Sequence, residues 1–159
     1  MMKKWHYLVL TLILSILEIS FFPVISSNIP ALGLLLAVLA ALNISPNFGM
    51  ITGILAGAII DISLGFGLTQ MALTYGLIAV GIGFLANHII DLGLFTYLIA
   101  TFVATLVSIF SATFFSLAFS YDGWQLALDL EIIGLKILVN LVSAIIIYIL
   151  LRKKLSPEM

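Results

Sequence analysis

The sequence predicts an all-α integral membrane protein, a single bundle of six transmembrane helices. Of its 159 residues, 64% are hydrophobic and only 8% are charged, whereas a typical soluble domain has roughly 45–50% and about 25%. No Asp, Glu, Lys or Arg occurs in residues 19–60, 62–90 or 92–121. Each of these stretches is longer than the roughly 20 apolar residues that cross a bilayer. These observations exclude a soluble enzyme, a nucleic-acid-binding protein and a disordered chain.

Pro, Gly and polar residues divide the single domain, residues 1–159, into six hydrophobic segments. Span 1 follows a lysine-containing start that is similar to a signal peptide, but Glu18 interrupts its apolar run, so we expect a retained span. Asn28 is expected to cap span 2, Pro30 to lie in its first turn, and Pro46 to precede span 3. The predicted spans are residues 5–22, 29–44, 47–64, 68–87, 93–119 and 132–151.

Span 2 is short for a membrane crossing. Its 15 or 16 residues give roughly 24 Å of helix, less than the ~30 Å hydrocarbon core. The span is therefore expected to thin the bilayer locally or to lie inside the bundle. A re-entrant pair formed by spans 2 and 3 is the alternative.

Basic residues predict the orientation. Lysines occupy positions 3 and 4, and Arg or Lys occupies positions 152–154. Because cytoplasmic segments are enriched in basic residues, both termini are predicted to be cytoplasmic, which fits an even number of spans. Residues 121–131 then form an outer interfacial segment, which Asp122 is placed to cap and Trp124 to anchor at the headgroups.

Residues that would support catalysis or metal binding are scarce. The chain has no Cys and only two His at unrelated positions, His6 and His88, so disulfides, thiolate metal sites and a Cys nucleophile are excluded. The sequence also has no phosphate-binding glycine loop, no HExxH motif and no Ser-His-Asp set. We therefore expect no enzyme activity, no cofactor and no metal.

A stripe of small residues runs along span 3. Gly49, Gly53, Gly57, Asp61 and Gly65 recur at every fourth position. Four residues turn a helix by roughly 400°, so these positions form one slowly winding face. Glycines at this spacing let another backbone approach closely. The face is predicted to pack against another helix of the bundle, to bind another protein, or to line a ligand cavity.

Three charged residues lie within the hydrophobic spans: Glu18, Asp61 and Lys136. In the predicted orientation each is about one turn from the outer end of its span, roughly 5–6 Å inside the boundary. A lone charge at mid-membrane costs about 2.5–3.5 kcal/mol, so their shared depth predicts that Glu18 or Asp61 contacts Lys136. Three interpretations follow: a structural ion pair, a polar binding site, or side chains that reach the headgroups separately without pairing.

Hydroxyl side chains are frequent on span 5. Thr101, Thr105 and Ser108 share a face at helical spacing, and span 6 carries Asn140 and Ser143. This pattern predicts helix packing with interhelical hydrogen bonds. A polar pathway is the alternative.

The stretch NFGMITGILAGAIIDISLGFGL, residues 47–68, resembles the signature of the rod shape-determining protein MreD family. In that family a Gly-x3-Gly-x3-Gly-x3-Asp helix is followed by a Ser- and Gly-rich turn. A helix with Tyr-Gly comes next, which Tyr75-Gly76 matches. The close resemblance covers residues 45–85. Chain length, the six-span layout and the basic end after the last span also agree.

The resemblance implies a non-enzymatic subunit of the bacterial cytoplasmic (inner) membrane. It would support cell shape and lateral peptidoglycan synthesis in the elongation (rod) complex. The implied partners are MreC and, directly or indirectly, RodA, a class B penicillin-binding protein and the MreB cytoskeleton. Membrane lipids are the other expected neighbours, and no nucleic acid is expected.

The resemblance also implies a fold similar to the substrate-binding subunits of energy-coupling-factor transporters. A vitamin-transporter subunit of that type is therefore the alternative function. Such subunits commonly have an Ala-x3-Ala face on the first span, which the LILSILEIS stretch of span 1 lacks. A channel or small exporter is a third hypothesis, for which the three charges in the spans are the only support.

Overall fold

The structure is a computed structural model, and it describes residues 4–20, 30–64, 70–86, 93–118 and 130–155. The described part is all-helical, with one helix over each predicted hydrophobic segment. The helices are α1 (Lys4–Ser20), α2 (Leu32–Asn43), α3 (Pro46–Leu64), α4 (Gln70–Ala86), α5 (Leu94–Ala118) and α6 (Leu130–Leu155).

Helix α2 lies at the centre of the bundle. It is apolar on all sides, and every residue from Leu32 to Leu42 is buried, as expected for a helix enclosed by protein. The other five helices all contact it. Its 12 residues give roughly 18 Å of helix. The short second span therefore lies inside the bundle, one of the two arrangements expected from its length.

The outer helices form an open ring around α2. Contacts run from α1 to α3, from α3 to α4, from α4 to α5 and from α5 to α6. Within the described residues, α1 makes no backbone contact with α5 or α6. We call this interruption of the ring, between α1 on one side and α5 and α6 on the other, the α1 seam.

The outside of the bundle is apolar. Large hydrophobic side chains are exposed on every outer helix, which is unlike the surface of a soluble monomer. Among the residues that the structure describes, three helical stretches are long and apolar enough to cross a membrane: Pro46–Ser63, Leu94–Phe115 and Glu131–Leu151. Leu32–Asn43 and Gln70–Ala86 are apolar but shorter. The molecule thus presents a surface suited to lipid around a protein-enclosed centre.

The backbone amides at the starts of α2 and α3 find hydrogen-bond partners in different ways. Helix α3 begins at Pro46, and the Ser45 hydroxyl accepts a hydrogen bond of 3.2 Å from the Phe48 amide, a local N-cap. Helix α2 begins at Leu32, three residues later than expected, so Pro30 precedes the helix. The Ala31 and Gly33 amides at its start donate to side chains of other helices, and the Leu32 amide donates to the Pro30 carbonyl at 2.9 Å.

Candidate functional site

Gly49 and Gly53 lie where α3 closely approaches its neighbours. A Cβ atom at Gly49 would lie 2.3 Å from the Cβ of Ala41 on α2, and one at Gly53 would lie 2.5 Å from the carbonyl oxygen of Tyr75 on α4. Real Cβ atoms essentially never come within 3.0 Å of such neighbours. Only glycine fits at these positions, so the stripe faces the interior and packs against two helices.

The stripe continues to the N-terminus of α4. A Cβ atom at Gly57 would lie 2.3 Å from the carbonyl carbon and oxygen of Met71 and 2.4 Å from the nitrogen of Ala72. One turn further, the fully buried Asp61 carboxylate accepts hydrogen bonds of 3.0 Å from the amides of Met71 and Ala72. A carboxylate at a helix N-terminus satisfies unpaired amides and opposes the positive end of the helix dipole. The glycines and the aspartate therefore form one structural unit.

The N-terminus of α2 is held by two other helices. The Glu18 carboxylate on α1 accepts a hydrogen bond of 3.0 Å from the Gly33 amide, and the Asn140 side-chain oxygen on α6 accepts one of 2.9 Å from the Ala31 amide. The Asn140 side-chain nitrogen donates to the Thr105 hydroxyl on α5 at 3.0 Å. This last bond is an interhelical hydrogen bond of the kind expected from the polar residues of spans 5 and 6.

The two buried acids have equivalent positions in successive helix pairs. Glu18 lies near the end of α1 and binds the start of α2, while Asp61 lies near the end of α3 and binds the start of α4. Both carboxylates interact electrostatically with the buried Tyr75, which places them in one region of the bundle. Lys136, which is half-buried, interacts electrostatically with Glu18. Lys136 is thus within electrostatic range of Glu18, whereas Asp61 is bound by the backbone of α4. A direct contact of Lys136 with either acid stays a prediction.

Helix α1 has a polar buried face that the sequence reasoning missed. Tyr7, Thr11, Ser15 and Glu18 are all buried, although apolar side chains are exposed on the opposite face. The Thr11 hydroxyl donates to the Tyr7 carbonyl at 2.7 Å. The spacing of four, four and three residues was the available signal, because it places all four side chains on one face of a helix. This helix is polar towards the protein and apolar towards the outside.

Buried tyrosines lie on both sides of the α1 seam, Tyr7 on α1 and Tyr97 on α5. The Tyr97 hydroxyl on α5 donates a hydrogen bond of 3.0 Å to the Leu35 carbonyl of α2. The Tyr97 ring stacks on Tyr148 of α6 with a centroid distance of 6.1 Å. On α1, the Tyr7 ring meets Phe48 edge-on at 6.3 Å, and the Tyr7 hydroxyl interacts electrostatically with that of Tyr97. Ring contacts therefore join α1 to α3 and α5 to α6 on the two sides of the seam.

An apolar groove lies between α4 and α5. Its volume is about 340 Å³, and Thr96 is the one polar residue in its lining. The groove is suited to an apolar group because its walls offer few hydrogen-bonding partners. The residues that line it are Leu42, Ile82, Leu85, Ala86, Phe95, Thr96, Ile99, Ala100 and Val103.

The remaining site predictions concern metals and the outer segment. Within the described ranges, no three His, Asp or Glu side chains come together as a metal site. Gly65, Asp122 and Trp124 lie outside the described residues. Comparison of the chain with protein-family models, curated proteins and solved structures finds no match. A functional proposal therefore depends on the residues and contacts given above.

Proposed function

We propose that the chain is a non-enzymatic subunit of the bacterial elongation complex, of the MreD type. The proposal rests on the structural roles of the motif residues, because the resemblance depends on these residues. Gly53 and Gly57 admit the backbone of α4, Gly49 admits that of α2, and the Asp61 carboxylate is engaged by two backbone amides. A motif whose charged residue caps a helix supports a scaffold. A substrate site would instead need that carboxylate to be accessible.

The proposed setting is the cytoplasmic membrane, with six spans and both termini in the cytoplasm. Support comes from the apolar exterior and from the three stretches long enough to cross a bilayer. Helices α1, α2 and α4 complete the six spans as parts of a bundle in which α2 contacts protein on all sides. The acidic caps Glu18 and Asp61 then lie towards the outer face, and the basic positions 152–154 lie on the inner face.

A scaffold of this kind would act through its lateral faces. We assign partner binding, with an MreC-like bitopic protein as the first candidate, to the face that carries the α4–α5 groove. A partner transmembrane helix can insert an apolar side chain there, because packing drives helix association in lipid. Phe95 at the groove is 75% exposed, and Phe110 on the same helix, outside the groove lining, is 67% exposed. These two residues form a matched pair for testing the surface.

The experiment is affinity purification of the tagged full chain from its native membranes in mild detergent, with mass spectrometry of the proteins recovered. The proposal predicts an MreC-like bitopic protein, RodA or a class B penicillin-binding protein. Recovery of ATPase subunits with a coupling membrane protein would overturn the proposal in favour of the vitamin-transporter alternative.

The matched pair tests the assigned surface separately. Phe95→Ala should reduce recovery of the bitopic partner, whereas Phe110→Ala should leave it unchanged. If both variants recover the partner as well as the unaltered chain does, the α4–α5 face is not the interface. That result would not contradict the proposed assembly function.

A further inference from the structure

The α4–α5 groove has a buried floor and exposed walls. The floor includes Leu42 of α2, Ile82 of α4 and Ala100 of α5, which are each at most 9% exposed. The walls include Leu85 of α4 and Phe95 of α5, which are 70% and 75% exposed. The groove therefore begins at the central helix and opens on the outside of the bundle, where the surface is apolar.

The groove lies at one end of the membrane-crossing stretch of α5. This stretch is Leu94–Phe115, and the α5 residues that line the groove lie within 95–103. On α4 the lining residues lie within 82–86, at the end of that helix. Eight steps along α5 give roughly 12 Å of depth, within the ~15 Å that one leaflet contributes to a ~30 Å hydrocarbon core. The groove thus runs from the membrane boundary towards the midplane inside a single leaflet.

The lining of the groove favours hydrocarbon over water. Thr96 is its one polar residue, and it lies at the boundary end of the groove. An engineered apolar cavity of about 150 Å³ stays dry and binds benzene. The α4–α5 groove has about 340 Å³, so it has room for a run of several methylene groups. If it were empty, the side chains of its floor would lose dispersion contacts.

The position and direction of the groove match those of a lipid chain. Acyl chains run from the headgroups at the boundary to the midplane, which is the course of the groove along α5. They also form the medium into which the groove opens, since the walls belong to the apolar exterior. A flexible chain can follow the floor formed by three helices and fill it along its length.

We propose that the α4–α5 groove binds one acyl chain of a phospholipid, from the leaflet that contains the end of α4 and the start of α5. The acyl chain lies along α5 and reaches Leu42 of the central helix, while the headgroup stays at the boundary. This site describes the protein before a partner binds. A partner helix that inserts a side chain into the groove displaces the lipid, and only this exchange rests on the proposed function.

Photolabelling of the purified full chain tests the site. The chain would be placed in nanodiscs whose phosphatidylcholine carries a photoactivatable diazirine in one acyl chain, and labelled residues would be identified by mass spectrometry. Ile82 and Ile109 are the matched pair, because both are isoleucines with 8% exposure and only Ile82 lines the groove. Ile82 should be labelled several-fold more than Ile109. Equally low labelling of both would overturn the proposal.

Variants that fill the groove give a second test. Val103 and Val107 lie on α5 with 40% and 44% exposure, and only Val103 lines the groove. Val103→Phe should reduce labelling of Ile82 several-fold, whereas Val107→Phe should leave it unchanged. Ala100→Leu fills the groove from its floor and should act as Val103→Phe does, so the test remains decisive if one variant does not fold.

The result separates the lipid site from the assembly function. If Ile82 stays fully labelled in both filling variants, the acyl chain does not reach it through the groove, and the proposal is overturned. The nanodiscs contain no partner protein, so this failure would concern the lipid site alone. Failure to recover a bitopic partner from native membranes would contradict the proposed function and leave the labelling of Ile82 unchanged.

Discussion

Replacing Gly57 with alanine is expected to separate α3 from α4 and to release the Asp61 cap. The new methyl group would lie 2.3 Å from the carbonyl atoms of Met71, whereas ordinary contact begins at 3.4 Å. The obstructing atoms are backbone, so a side-chain rotation cannot relieve the overlap. The helices must move apart locally by about 1.1 Å, the difference between these two distances.

A movement of this size affects the hydrogen bonds one turn away. The bonds from Met71 and Ala72 to the Asp61 carboxylate are 3.0 Å long, and they would lengthen to roughly 4 Å, beyond hydrogen-bond distance. Overpacking costs about 1–3 kcal/mol, and weakening hydrogen bonds to a charged group adds about 1.5–3 kcal/mol. We therefore expect Gly57→Ala to lower the free energy of unfolding by about 2.5–6 kcal/mol.

The assay is thermal or denaturant unfolding of the purified full chain in a mild detergent. Gly81→Ala on α4 is the control, because no described atom lies within 4 Å of a Cβ at Gly81. Alanine favours helix over glycine by about 0.5–1 kcal/mol, so this variant should be as stable as the unaltered chain or slightly more so. If Gly57→Ala and Gly81→Ala have the same free energy of unfolding, the close contact of α3 with α4 does not contribute the stability assigned to it.

Three further changes test the polar contacts by the same unfolding assay. Asp61→Leu leaves two α4 amides unsatisfied and should cost about 2–4 kcal/mol, while Asp61→Asn keeps one acceptor and should cost clearly less; equal losses would argue against a capping role. Lys136→Met combined with Glu18→Gln should lower the free energy of unfolding by at least about 0.5 kcal/mol less than the sum of the two single variants. Lys136→Met combined with Asp61→Asn should give an additive loss. Additive losses in both pairs would contradict the Glu18–Lys136 interaction. Asn140→Leu removes bonds to Ala31 and Thr105 and should cost about 2 kcal/mol, and an unchanged midpoint would show that α2 is held in another way.

The spacing of the glycines predicted a close approach of helices, but not its targets. Because four residues turn a helix by roughly 400°, each step of the stripe drifts by about 40°. Over Gly49, Gly53 and Gly57 the face therefore turns from α2 towards α4. Sequence spacing gives this drift, but which helix lies on each side depends on the tertiary arrangement.

The roles of the buried acids lay beyond local sequence rules. Glu18 binds an amide 15 residues away and Asp61 binds one 10 residues away, whereas a local N-cap lies next to the helix that it caps. Their shared depth predicts contact of Glu18 or Asp61 with Lys136, whereas the structure shows both carboxylates accepting hydrogen bonds from backbone amides, which also satisfies a buried charge. That the partners of Asp61 are amides of α4 could be known only after α3 and α4 were seen to pack.

Cell shape after depletion of the chain from its native host tests the functional proposal most directly. Cells would be depleted of the chain and complemented with unaltered protein, Gly57→Ala or Gly81→Ala, and cell width and length would be measured by microscopy. The proposal predicts that depleted cells become wide or round, that Gly81→Ala restores rods, and that Gly57→Ala does not. Depleted cells that keep their rod shape, and stop growing only when a vitamin is withheld, would contradict it.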